Sequence, residues 1–411
     1  MVKPIVACAL AVMPALLRCC QVPPSDTLSP DDNKAFQAEV ARIEALLKTA
    51  GDPCTVRYAL ARTYAAGGQW RDALNTLERT VALKVGLDPG EDEIFTKLRG
   101  SREFERLRGQ VLADTPPILN ARAAFAIDEP TLFPEGIAYS ARLNRFLLGS
   151  VFRHRIVSCT PDGACQPLVR DGQDGLGEVL GLRISPLDET LWAVSNGDET
   201  SGLFRYTLPA GQLLGKFTIS RKPHPHTFND LVVSPAGDVF VTDTAAGTVF
   251  RLSHATQRLE VFNPALHVEA ANGIAFGDQP RPKLYVAGFP DGIVVVDLAS
   301  QSFRPISHPS DLCLATIDGL YYYRGDLLAI QNGVMVPRVV RYRLSADRGA
   351  IESYQILERR NALFDVPTTG AIAHGAFYFM ANTQLESLAG GKIKTGVQLK
   401  PIQILRIDLR R

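Results

Sequence analysis

The chain has 411 residues, which is more than one ordinary domain holds, so at least two regions are expected. Its 44 basic and 43 acidic side chains leave a formal charge of +1. No basic run is interleaved with aromatics, and this excludes the usual electrostatic footprint of a nucleic-acid partner.

The first residues, MVKPIVACALAVMPALLRCC, place Lys3 ahead of an apolar stretch from Pro4 to Leu17, followed by a polar, proline-containing tail. A bilayer-spanning helix needs ~20 apolar residues. The shorter stretch suits the core of an export leader over residues 1–22, so a periplasmic or secreted protein without a membrane span is expected. A lipid anchor on Cys19 or Cys20 is the alternative, against which Arg18 stands where a small residue normally precedes a modified cysteine.

Residues 31–112 carry apolar positions at helical spacing. Phe36, Val40, Ile43 and Leu46–Leu47 make one face of a first helix. Tyr58 to Leu83 then reads as two helices broken at Gly67–Gly68. There, small residues (Ala61, Ala65, Ala73) alternate with Leu60, Tyr64, Trp70, Leu74 and Leu77 in a pattern that resembles a tetratricopeptide repeat. The following EIFTKLRGSREFERLRGQVL resembles the half-repeat that caps such arrays. The segment is expected either to pack against the rest of the protein or to recruit a protein partner. Pro116–Pro117 marks its boundary.

From residue 118 onwards, paired apolar runs joined by short turns recur. The residue before each pair stands at positions 135, 180, 229, 272, 318 and 369, spaced 43–51 apart. Two more strand-like runs follow each pair, for instance GLFRYTL and LLGKFTI. A period in this range with four strands per unit is a propeller signature. The sixth unit lacks one strand of its own, and NARAAFAID, ahead of the first unit, is expected to supply it and so remove an exposed edge. The expected fold class is mainly β: a six-bladed β-propeller over 118–411 with a small N-terminal α-helical, tetratricopeptide-like domain.

Innermost strands line the axis of a propeller, so the six register positions face one another. Four carry oxygen acceptors: Glu135 in FPEGIAY, Asn229 in FNDLVV, Asn272 in ANGIAF and Asp318 in IDGLYYY. The other two are Leu180 and Thr369. Two carboxylates and two amides, with no His or Cys in the register, make a hard-cation set, for which calcium is a better match than zinc. The alternative is that Glu-Gly, Asn-Gly and Asp-Gly merely mark turns leading into strands.

With these signatures (PEG, ND, NG and DG at strand starts) residues 118–411 resemble the gluconolactonase/regucalcin (senescence marker protein) family of six-bladed, calcium-dependent propellers. The resemblance implies metal ligands at Glu135, Asn229, Asn272 and Asp318, a small-molecule substrate, and hydrolysis of a lactone or related ester. It also implies that Asp318 serves both metal and proton transfer. The sequence departs from the family in HPHTF before Asn229 and in the aromatic run Tyr321–Tyr323.

Asp230, beside Asn229, is the reserve proton acceptor or an orienting neighbour. Among the histidines, His226 and His267 are candidates to approach the site, His224 is expected on the surface, and His374 at the opposite end of the channel. Asn196, Asp243, Asn332 and Asn382 end second strands on the same face and are candidate substrate contacts, or else turn residues. A noncatalytic calcium-stabilised binding module and a phosphotriesterase-like hydrolase are the competing functions. No G-x-S-x-G elbow supports a serine nucleophile. Cys159 and Cys165 bracket the turn TPDGA and read either as a local disulfide or as two free thiols. Cys54 and Cys313 read as isolated small apolar residues.

Overall fold

The computed structural model describes residues 30–49, 54–90, 92–278 and 280–409. The expected leader, residues 1–22, lies outside them. Among the described residues no helix is long and apolar enough to cross a membrane.

Among the described residues four α-helices come first: α1 (Pro30–Thr49), α2 (Cys54–Ala66), α3 (Trp70–Val81) and α4 (Arg102–Asp114). The break between α2 and α3 falls where the glycines predict it. A Cβ on Gly67 would lie 2.4 Å from the Phe36 ring, so α1 closes on this turn only because the side chain is missing. Ser101 caps α4, its hydroxyl accepting from the Phe104 N–H. In α3, buried Ala73, Leu77, Thr80 and Val81 form one stripe at helical spacing.

Six four-stranded antiparallel sheets follow. Blade 1 is β2 (Pro134–Ser140), β3 (Arg145–Ser150), β4 (Arg155–Cys159) and β5 (Cys165–Val169). Blade 2 is β6 (Glu178–Ile184), β7 (Leu191–Asn196), β8 (Thr200–Tyr206) and β9 (Leu213–Ser220). Blade 3 is β10 (Phe228–Val233), β11 (Val239–Asp243), β12 (Thr248–Leu252) and β13 (Leu259–Val261). Blade 4 is β14 (Ile274–Phe276), β15 (Lys283–Gly288), β16 (Gly292–Asp297) and β17 (Phe303–Pro305), and blade 5 is β18 (Ile317–Tyr323), β19 (Asp326–Gln331), β20 (Arg338–Leu344) and β21 (Ile351–Arg359). Blade 6 has β22 (Gly370–Ala373), β23 (Ala376–Met380) and the C-terminal β24 (Ile402–Asp408), and β1 (Arg122–Ile127) pairs with β24 as its outer strand. The ring therefore closes as the incomplete sixth repeat predicts.

Each seam between blades holds its own apolar cluster. Leu147, Val179 and Leu182 join blades 1 and 2, for example, and Phe146, Tyr378 and Ile404 join blades 6 and 1. Strands covered on both faces are buried throughout, as in LWAVSN of β7, whereas the outer β9 alternates with solvent.

The helices dock on the propeller through one shared core. Tyr58, Leu77, Phe95 and Phe104 pack with Phe289, Cys313, Met335 and Val336, which lie in loops at the end where the inner strands begin. Cys54 and Cys313 are bonded to each other, which corrects their reading as isolated apolar residues. The bond joins α2 to the loop leading into Asp318 across a sequence separation of 259, a pairing that no local pattern betrays. Cys159 and Cys165 form the local disulfide. Arg338 reinforces the docking, donating to the carbonyls of Val85 (3.1 Å) and Cys313 (3.1 Å) and to Gln331 Oε1 (2.8 Å).

Candidate functional site

The register residues owe their direction to local irregularities. Inner and second strands slip register between Pro134 and Ile137, Val179 and Leu182, Phe228 and Leu231, and Ile317 and Leu320. The residues inside these slips are Glu135–Gly136, Leu180–Gly181, Asn229–Asp230 and Asp318–Gly319. A bulge releases its residues from the alternation of the strand and re-aims their side chains.

The glycines of the X-Gly pairs serve close approach, not turning, and Gly136, Gly181, Gly273 and Gly319 all lack a positive φ. A Cβ on Gly136 would lie 2.0 Å from the Leu180 carbonyl oxygen, and on Gly181 2.8 Å from that of Asn229. On Gly273 it would lie 2.4 Å from the Asp318 carbonyl, and on Gly319 2.9 Å from that of Thr368. Thr242 bridges the remaining gap, accepting from the Asp230 N–H at 3.1 Å and donating to the Asn272 carbonyl at 2.7 Å. The Thr369 hydroxyl donates to the Glu135 carbonyl. Each register position thus touches the next blade, and the six make one closed ring.

Within it the carboxylates are close together and buried. Glu135, Asn229, Asp230, Asn272 and Asp318 are all buried. Burial, and then the charges of Asp318 and Asp230, hold the Glu135 carboxyl well above its usual range, with Arg183 opposing. Burial pushes Asp318 up to about 6, against hydrogen bonds from Asn332 and Asn272. The Asn332 bond is 2.6 Å, to Oδ2 of Asp318, and the same amide donates to the Pro367 carbonyl at 2.8 Å. Three oxygens here are buried and make no hydrogen bond: Glu135 Oε2, Asn272 Oδ1 and Asn332 Oδ1. Among the described residues no group of three or more His, Cys, Asp or Glu is placed to hold a metal ion, so any cation would depend on the amides as well.

Three residues beyond each register position lies a second layer: Ala138, Arg183, Val232, Ala275, Tyr321 and Ile372. All six line a cavity of about 260 Å³ in the channel on the far side of the ring. Arg183 is the one charged member. It donates to Asp230 Oδ2 at 2.8 Å and to the Leu182 carbonyl at 2.9 Å, and its guanidinium lies 4.9 Å from the Tyr321 ring centroid. Burial lowers the Arg183 pKa, but Asp230, Tyr321 and Glu135 together outweigh it and the net shift is upward. Asp230 also accepts from the Leu231 N–H at 2.8 Å. Counting three residues on from each register position is the one sequence signal that exposes Arg183 as a charge facing the axis.

Of the four strand-end residues, only Asn332 reaches the ring. Asn196 spends its amide on the backbone of Phe228, donating at 2.8 Å and accepting at 3.1 Å. Asn382 does the same with the Pro401 carbonyl (2.9 Å) and the Gln403 N–H (2.6 Å). Asp243 accepts from the N–H groups of Thr227, Ala245 and Ala246 and holds His226 Nδ1 at 2.5 Å. The His226 ring packs edge-on against Phe250 of β12, outward from the channel. His267 is exposed beside Gly247, and His224 is exposed. His374 meets the Tyr139 hydroxyl at 2.7 Å, where the first inner strand ends.

No protein-family model matches the chain, and no curated protein matches it. Solved structures do. The major allergen Mala s 1 of Malassezia sympodialis is 17% identical over 70% of this chain and 96% of its own, with a TM-score of 0.53. A gluconolactonase from Xanthomonas campestris is 16% identical over 72% and 90%, at 0.47. A virginiamycin B lyase from Staphylococcus aureus is 16% identical over 64% and 82%, also at 0.47. At this identity the likeness to the allergen speaks to architecture, and it agrees with the strand order: the chain is a six-bladed β-propeller carrying a small helical region at its N-terminal side.

Proposed function

We propose that the ring holds one divalent cation, calcium by the chemistry of its donors, and that the protein is a metal-dependent hydrolase of lactones or related esters. The observation that carries this reading is the trio of buried oxygens without hydrogen bonds, Glu135 Oε2, Asn272 Oδ1 and Asn332 Oδ1. An orphaned buried acceptor costs about 1–3 kcal/mol, and three at one place call for a shared partner. The donor set suits a hard cation: Glu135, Asn229, Asn272 and Asp318 would hold it, with Asn332 beside them. The charges fit too. Glu135, Asp230 and Asp318 bring three negative charges and Arg183 one positive, which leaves two for a divalent ion.

A cation held there supplies a Lewis acid for a carbonyl oxygen and for water. The chain's own groups do the rest. Asp318, buried and fixed beside Asn332, is the acceptor for the proton of the attacking water. Asn332 fixes the Asp318 carboxylate through the 2.6 Å bond, and Asp230, engaged by Arg183, orients the strand that carries Asn229.

The test is hydrolysis of a panel of lactones, aryl esters and phosphotriesters by the wild type and Asp318→Asn at saturating calcium. The expected result is lactone or ester turnover that falls about 10²- to 10⁴-fold in the variant. Full activity in the variant with metal bound would remove Asp318 from the chemistry. Turnover of phosphotriesters alone would reassign the substrate class. If neither protein turns over anything and only thermal stability answers to calcium, the ring is the structural centre of a binding module.

A further inference from the structure

We infer that Arg183 sets which ions the ring accepts, acting as a fixed internal counter-charge supplied by a blade that contributes no oxygen ligand. The inference rests on the metal reading proposed above. Blade 2 places Leu180 at the register position and, three residues further along the same strand, the only charged side chain of the second layer.

Four observations define the role. The guanidinium is tied to Asp230 Oδ2 at 2.8 Å, one residue from the proposed ligand Asn229. Glu135, a proposed ligand from blade 1, is among the charges that raise the Arg183 pKa. Tyr321, from the blade opposite, covers the guanidinium face at 4.9 Å, and the Tyr321 hydroxyl is itself held by the Gly370 N–H at 2.7 Å. The position is therefore fixed from both sides of the channel. Finally, an arginine cannot shed its proton in a protein, so the charge is permanent.

With Arg183 present the surroundings of the ion carry two net negative charges. Without it they carry three. Electrostatic attraction scales with the product of charges, so the missing cation benefits a trivalent ion more than a divalent one of similar size. At an effective dielectric constant near 20, a unit charge within about 10 Å of a bound ion changes the ratio of the two affinities by about tenfold or more. The residue acts on the ion through the field and touches no substrate, which makes it a positioning and selectivity residue, not a catalytic one.

The experiment measures calcium and terbium binding by titration calorimetry on the full chain, as wild type, R183K, R183M, D230N and R183M/D230N. E135Q serves as the control that locates the ion in the ring. R183M should raise the terbium-to-calcium affinity ratio about tenfold, and D230N should lower it by a similar factor. The double variant restores a net charge of minus two and should return the ratio towards wild type, and R183K should keep it. A merely structural role would weaken both ions together and leave the ratio unmoved. If R183M does not fold, D230N and the double variant still carry the comparison. Calcium binding with an unchanged ratio across the folded variants overturns the role of Arg183 alone. A wild type that binds neither ion overturns the metal reading and this inference together.

Discussion

The guanidinium of Arg183 and the ring of Tyr321 meet at 4.9 Å although they come from blades 2 and 5, on opposite sides of the propeller. Both line the cavity of about 260 Å³ in the channel. A buried cation needs a compensating partner, and Arg183 has Asp230 at 2.8 Å as well as the aromatic face.

Tyr321→Phe tests how firmly this contact is built. The phenol accepts the Gly370 N–H at 2.7 Å, and removing it leaves a buried backbone donor without its partner. The expected loss is about 1–2 kcal/mol in equilibrium denaturation. Tyr321→Leu also forfeits the face over Arg183 and should cost about 1–2 kcal/mol more. Equal stabilities for the two variants would mean that the aromatic face contributes nothing.

The ring was legible in the sequence because a repeat multiplies a weak signal. One Asn-Gly is a turn marker, whereas Glu135, Asn229, Asn272 and Asp318 at one register define an axis. The same counting exposed the missing strand that β1 supplies. What counting could not separate is an oxygen that faces the axis from one that folds back on its own chain. Asn196, Asp243 and Asn382 stand at equivalent strand ends to Asn332, yet short polar side chains reach nearby backbone N–H groups first. Cys54 and Cys313 were out of reach for another reason, since the pairing depends on where the helices dock and not on any local pattern.

The two disulfides should differ in their effect on stability because they close loops of very different length. Cys54–Cys313 spans a sequence separation of 259 and Cys159–Cys165 one of 6. Chain-entropy reasoning gives about 5 kcal/mol for the first and about 2 kcal/mol for the second. C54A/C313A and C159A/C165A variants, compared by chemical denaturation with amide exchange followed by mass spectrometry, should show this order. Loss of protection in the first variant should begin in α2 and in the loop that carries Cys313, because those are the segments that the bond pins together. Equal costs would show that the reduced helices stay docked through their apolar core alone.

Glu178 opens β6 close to the ring, and its carboxyl is pushed up to about 7, by burial first, with Arg221 opposing and Asp198 adding to the rise. An unfolded glutamate titrates near 4.3. Between these values the folded protein binds more protons than the unfolded chain, so stability falls as the pH rises through about 4.5 to 7. Glu178→Gln removes that dependence. The variant should match the wild type at pH 4 and exceed it at pH 8 by up to about 3–4 kcal/mol. A wild-type advantage at pH 8 would show that the ionised carboxylate has a stabilising partner in the folded protein.

Asn332 is where the folding and functional demands on the ring converge. Its amide nitrogen donates to Asp318 Oδ2 at 2.6 Å and to the Pro367 carbonyl at 2.8 Å, so it ties Asp318 of blade 5 to the loop that leads into blade 6. Its oxygen is buried and makes no hydrogen bond. Asn332→Ala removes the clamp and leaves Asp318 to its remaining hydrogen bond from Asn272. Outer partners of metal ligands are typically worth 10–100-fold in affinity, and calcium binding measured by calorimetry should weaken by about that factor. Asn332→Asp keeps an oxygen in place but offers no N–H to Asp318 and adds a negative charge, so it should raise the preference for terbium over calcium. A variant series in which calcium affinity stays constant while stability falls would assign Asn332 to the blade seam and remove it from the ion's surroundings.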